Sequence, residues 1–166
     1  MTDLPALHDR PFQNPWFGEL TMSESRQLFG RNRVGHLAFG SGDSVDIVPV
    51  HYVFDGEWIY GRTSGGSRLS TISEGQRVAL EIDEHRDTFD WLSAVAYGPF
   101  SIFAYTPDDD EESETAWIVS RYFPGAVGPD DPIPFRNQFF RIHASEITGR
   151  YAQPSGGRRR EPQPSW

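Results

Sequence analysis

Hydrophobic and polar positions show no regular period over the first stretch of the chain. Met1 to about Phe17 carries three prolines and reads as an irregular arm, the greater part of a segment 1–20. A helical spacing begins in "LTMSESRQLFGRNRVGHLAF". There Met22, Leu28 and Phe29 give a partial apolar face, Thr21 and Glu24 have capping-box spacing, and Gly30 is the expected stop. The period then shortens to that of strands. Val34–Phe39 and Asp46–Phe54 are the first two, Asp55-Gly56 is a tight turn, and Glu57–Arg62 returns. Ser67–Ser73 reads as a short helix entered through Gly65-Gly66. "QRVALEID" alternates as a strand, and "WLSAVAYGPFSIFAY" is an apolar strand expected to bend at Gly98-Pro99. "TAWIVSRYF" predicts a second helix. A Pro/Gly/Asp-rich loop, Pro124–Pro134, separates it from "NQFFRIHASEITGRYA", read as one final strand with a bend. Antiparallel strands with interspersed helices predict a small, closed or partly closed β-barrel with helical attachments.

Composition narrows the class. The chain has 166 residues, enough for one domain with a real core. Its 16 glycines, 13 prolines and 14% aromatics favour turns and strands over a helical bundle. The net charge of -9 argues against a nucleic-acid surface or docking on anionic lipid. No apolar run reaches membrane-spanning length and no signal peptide is evident, so the expectation is a cytoplasmic protein with no nucleic-acid or membrane partner. Cysteine is absent, which excludes disulfides, thiolate metal sites and cysteine nucleophiles. The segment 153–166 is poor in apolar residues and is expected to be a disordered tail, and its Arg158-Arg159-Arg160 run is weak support for nucleic-acid contact. The acidic run Asp108–Glu114 reads as a solvated loop leading into the second helix rather than a cation site.

Against that acidic background, one cluster carries candidate chemistry. Arg62, Thr63, Ser64, Gly65, Gly66, Ser67 and Arg68 follow directly on the hairpin. The arginines offer forked cationic donors, the hydroxyls further donors, and the glycines close backbone approach. Ser67 is placed to cap the following helix, whose N-terminus favours anions. The cluster is a candidate phosphate cradle; a loop with a capped helix and two solvated arginines is the alternative. The glycine spacing fits neither a Walker A loop nor a Rossmann fingerprint.

The stretches "VPVHYVFDGEWIYGRTSGGSRL", "RVALEIDE" and "WLSAVAYG", closed by "FFRIHASEITGR", together resemble the flavin-binding split-barrel proteins of the pyridoxamine 5'-phosphate oxidase superfamily, in particular its nitroimidazole-resistance-like branch. The resemblance spans about Thr21 to Tyr151. It implies a mainly β fold with α, a six-stranded antiparallel split β-barrel with peripheral helices, occupying 21–152 as an FMN-binding domain. It further implies a homodimer with FMN at the subunit interface. Pro49, Val50, His51 and Tyr52 would run along the isoalloxazine ring. Arg62, Thr63, Ser64 and Arg68 would hold the phosphate and ribityl chain, with Arg68 standing where relatives often carry Lys. Trp91 and Ser93 would complete the site, as a contribution from the partner subunit.

The implied activity is FMN-dependent oxidoreduction of a small molecule, with a nicotinamide as candidate reductant. No catalytic acid or base is assigned, and no second phosphate-binding set speaks for pyridoxamine-phosphate oxidation itself. The alternatives are a non-enzymatic flavin carrier or redox sensor, or a relative binding deazaflavin or haem; His51 and His143 are the candidate axial ligands for haem. His51 otherwise reads as a packed or interface residue and His36 as structural. His8, His85 and His143 show no metal-ligand spacing, and the patch Glu81, Asp83, Glu84, His85 and Asp87 reads as solvated, so no metal is assigned. Tyr97, Phe100, Phe103 and Tyr105 are expected in core or interface, and Trp117 and Tyr122 as helix packing residues.

Overall fold

The computed structural model describes residues 14–64, 68–105, 113–126 and 128–154. Its elements run β1 (Trp16–Glu19), α1 (Met22–Arg31), β2 (Val34–Ser41), β3 (Ser44–Phe54), β4 (Trp58–Thr63), a 3-10 turn (Arg68–Thr71), β5 (Arg77–Asp87), β6 (Asp90–Ala104), α2 (Glu114–Tyr122), β7 (Gln138–His143) and β8 (Glu146–Gln153). The strands form one antiparallel sheet in the order β1-β8-β6-β5-β2-β3-β4-β7. Because β6 also pairs with β7, six strands close into a ring, with β8 and β1 outside it. This is the expected split barrel. No described helix is long and apolar enough to cross a membrane.

The split arises within β6. One edge pairs with β5 from Asp90 to Pro99. The other edge pairs with β8 over Trp91–Tyr97 and with β7 over Phe100–Ala104. The partners change at the predicted Gly98-Pro99 bend. A Cβ at Gly98 would overlap the His143 carbonyl, so only glycine lets β7 turn away there.

Alternation fills the ring. Leu37 and Phe39 of β2, Val78, Leu80 and Ile82 of β5, and Phe100, Phe140 and Ile142 all face the interior. Helix α1 packs on β8, β6 and β3 and adds Leu28 and Phe29 to this core. A ten-residue helix is marginal in isolation. Each of these two buried side chains contributes about 1.5–3 kcal/mol, and both halves of the Thr21–Glu24 capping box form. The C-terminal end is also satisfied. Asn32 donates to the Leu28 carbonyl, Tyr52 Oη to that of Phe29 at 2.9 Å, and Arg33 to that of Gly30.

Three local expectations change. Trp16–Glu19 is not irregular: it adds a strand to β8. The final strand is two, β7 and β8, in different parts of the sheet. Trp117 is half-exposed, whereas Tyr122 packs as expected, stacking on Tyr60 at 4.9 Å.

Candidate functional site

The hairpin of β3 and β4 turns at Asp55-Gly56. Asp55 Oδ1 accepts from the backbone N–H groups of Glu57 and Trp58, and Gly56 takes φ 109°. This pairing lays Pro49 and Val50 beside the end of β4. Pro49, Val50, Arg62, Thr63, Ser64 and Arg68 thereby line one cleft of about 210 Å³, joined by Val48, Leu69 and Arg136. Six of the ten candidate residues thus meet in one place.

The other four lie elsewhere. His51 is exposed on the outer face of β3, opposite Val34. Tyr52 points into the barrel core, where burial raises its phenol pKa. Trp91 and Ser93 share a second hollow of about 330 Å³ with Val95, Tyr97 and Arg150. Ser93 Oγ donates to Glu81 Oε1 at 2.8 Å, and the Trp91 ring lies 6.4 Å from that of Phe17. β6 is three strands from β3, roughly 14 Å at the usual strand spacing. A single chain therefore does not bring these residues to the cleft.

Within the cleft the charges are not equivalent. The Arg62 side chain is 10% exposed and that of Asp131 1% exposed, and they pair at 2.6 Å. Arg62 Nε also donates to the Arg136 carbonyl at 2.9 Å, and its guanidinium lies 5.5 Å from the Phe139 ring centre. Arg68 is 71% exposed and pairs with Asp46 at 2.9 Å. Arg136 is half-buried and comes from the segment after the Pro/Gly loop. Sequence reasoning missed both Asp131 and Arg136, because nothing local to either signals that it folds back onto β4. The short helix is a single 3-10 turn of four residues. It has too few aligned peptides for a useful macrodipole. Gly65, Gly66 and Ser67 lie outside the described residues, as do His8, Asp108 and the Arg158–Arg160 run.

The outer sheet face beside the cleft is apolar, with Val45 72% and Ile47 64% exposed on β3. Further along it, His36, Glu81 and Asp83 hold ligating atoms within 4.8 Å of one another. His36 is 3.5 Å from Glu81, and His85 is 2.9 Å from Asp83. These are surface contacts across and along strands, a grouping hidden in the sequence by the distance between β2 and β5. A larger hollow of about 600 Å³ lies near β5 and β8, lined by Arg31, Glu84, Arg86 and Asp90 among others; Arg31 is held there by Glu84 through two hydrogen bonds. His143 packs against Trp58 at 4.7 Å, on a different part of the sheet from His51.

Comparison with known proteins places this geometry in context. The family model described as pyridoxamine 5'-phosphate oxidase matches residues 21–151. An uncharacterized protein of Rhizobium meliloti (strain 1021) is 24% identical over 141 residues, 80% of this chain and 93% of its own length. The FAD binding protein of Mycobacterium smegmatis superposes with a TM-score of 0.61 at 19% identity, covering 81% of this chain and 98% of that one. A candidate 5-nitroimidazole antibiotic resistance protein from Bacteroides thetaiotaomicron gives 0.63 at 12% identity, covering 86% and 91%.

Proposed function

The chain belongs to the pyridoxamine 5'-phosphate oxidase family, and on that premise we propose that it binds a flavin nucleotide between two copies and acts as an oxidoreductase on a small molecule. The observation that carries the reading is the cleft at the end of β4. Apolar Pro49 and Val50 adjoin Thr63, Ser64, Arg68 and Arg136 there, in a protein whose overall charge would repel an anion.

The fit of the group is partial in one chain. A cleft of about 210 Å³ is below the range of roughly 300–1,000 Å³ that encloses a whole ligand of this size. It suits the phosphate and ribityl end. The ring would lie against the β3 backbone near Pro49 and His51, with its other side covered by a second copy. The exposed Val45 and Ile47 supply an apolar contact for that copy. Trp91 and Ser93, too far away in the same chain, would come from it. FMN is the ligand we favour; FAD, named for the Mycobacterium smegmatis protein, presents the same ribityl phosphate and would extend beyond the cleft.

When bound, the flavin supplies the electron transfer. The chain's residues would hold its anionic end, orient the ring on β3 and exclude water from one face. No described side chain stands in the cleft as a proton donor of obvious use, so the protein's part is binding and orientation.

The test is the visible absorption spectrum of the purified protein, with the supernatant analysed after denaturation. Flavin bands and released FMN or FAD are expected. A colourless protein that binds neither nucleotide on titration overturns the reading. Turnover with a nicotinamide and an electron acceptor then separates an enzyme from a flavin carrier: binding without turnover rejects the oxidoreductase half.

A further inference from the structure

Of the three arginines at the cleft, we propose that Arg136 is the cation that meets the ligand's phosphate, and that Arg62 is a positioning residue that holds Arg136 in place. The inference rests on the flavin reading for the identity of its ligand.

The argument begins with what Arg62 is already doing. Its two terminal nitrogens donate to the two carboxylate oxygens of Asp131, at 2.6 and 3.3 Å, and its Nε donates to a backbone carbonyl. The pair is buried, so the positive charge is cancelled where it stands. Turning Arg62 toward a phosphate would take from the buried Asp131 carboxylate the cation that balances its charge. Arg68 keeps its charge mostly in solvent and shares it with Asp46. Screening by water weakens its pull on an anion.

Arg136 differs on both counts. It is half-buried at the cleft, and among the described residues its guanidinium has no hydrogen bond and no ion pair. A sheltered, uncommitted guanidinium beside Thr63 and Ser64 is a ready forked donor for phosphate oxygens. Its backbone is fixed in three ways. The Arg136 N–H donates to the Ile133 carbonyl at 2.9 Å, the Ile133 N–H donates to Asp131 Oδ1 at 3.0 Å, and the Arg136 carbonyl accepts from Arg62. The ring of contacts Arg62–Asp131–Ile133–Arg136 thus spends one arginine to aim another. These contacts tie Asp131 and Arg136 to β4 through Arg62.

The experiment titrates wild type, Arg136→Gln and Arg136→Lys with FMN and with riboflavin, which lacks the phosphate, while Tm is followed. Arg136→Gln should weaken FMN by at least about tenfold, the order of one lost charge-assisted contact. Riboflavin affinity and Tm should hold, and Arg136→Lys should recover part of the FMN affinity. Arg62→Gln should lower Tm and also weaken FMN more than riboflavin; a lowered Tm with the FMN-to-riboflavin ratio of wild type overturns its positioning role. An Arg136→Gln protein that binds FMN like wild type overturns the inference and leaves the flavin reading standing. Equal weakening of FMN and riboflavin also overturns it, since the residue would then act without the phosphate. If wild type binds neither flavin, the flavin reading fails, and titration with inorganic pyrophosphate decides the matter. Binding lost in Arg136→Gln supports Arg136 as the anion ligand; unchanged binding, or none in wild type, removes it.

Discussion

Arg62 and Asp131 meet at 2.6 Å beneath the loop that follows α2, joining β4 to a segment far along the chain. Removing the acid leaves a guanidinium with little access to water. Asp131→Ala should therefore lower unfolding free energy by about 3–5 kcal/mol. Replacing both partners by apolar residues, Arg62→Met with Asp131→Leu, should cost less than the single change. Urea denaturation measures both. A loss under about 1 kcal/mol in Asp131→Ala would mean that the pair contributes little.

Tyr52 completes the cap of α1 from inside the barrel, donating to the Phe29 carbonyl. Tyr52→Phe keeps the packing and leaves that buried carbonyl unmet, at a cost of about 1–3 kcal/mol. The phenol is held above its ordinary pKa chiefly by burial, as is that of Tyr60, to which Asp55 adds. An alkaline absorbance titration should show a phenol missing from the normal step in wild type. If Tyr52→Phe matches wild type in stability, the capping role is wrong.

Glu84 ties the end of α1 to β5. It accepts from Arg31 at 2.8 and 2.7 Å and from Asn32 at 2.8 Å. The Arg31 hydrogen bonds come first among the causes that hold its pKa below the usual carboxylate value, with Asn32 assisting and partial burial opposing. A lowered folded pKa stabilises above the unfolded value, about 4.3 for Glu, and that contribution fades as pH falls through the folded value. The stability gap between wild type and Glu84→Gln should thus be widest near neutrality and shrink in acid. Parallel Tm profiles between pH 7 and roughly pH 3, spanning that range, would count against the linkage.

The apolar outer face of β3 makes oligomeric state testable. Ile47→Asp places a charge where the proposed second copy would sit, so sedimentation should show a monomer with an unchanged far-UV spectrum and weakened flavin binding. Wild type that sediments as a monomer at tens of micromolar, an order chosen against the affinities of stable interfaces, would remove the two-copy site.

Much of the fold could be read from local pattern because its causes are local. The capping box of α1, the Asp55-Gly56 turn and the Gly98-Pro99 bend each depend on residues adjacent in sequence. β1 escaped because "WFGE" is short and its pairing with β8 is long-range. The division of β7 from β8 escaped because the chain changes neighbours there only on account of Gly98, on another strand. At the cleft the same boundary holds. Pro49, Val50 and Arg62–Ser64 are joined by one hairpin and were legible. The neutralisation of Arg62 by Asp131 and the arrival of Arg136 depend on a loop's path, which composition does not encode.

The strand β6 has a further consequence for how the molecule comes apart. It supplies hydrogen-bond partners to β5, β7 and β8 together. Stripping strands from either end of the barrel opens hydrogen bonds along this one backbone. The amides of β6 should exchange only through the global opening. A ligand bound at the rim should then protect the amides that exchange through that opening by one common increment, near or far.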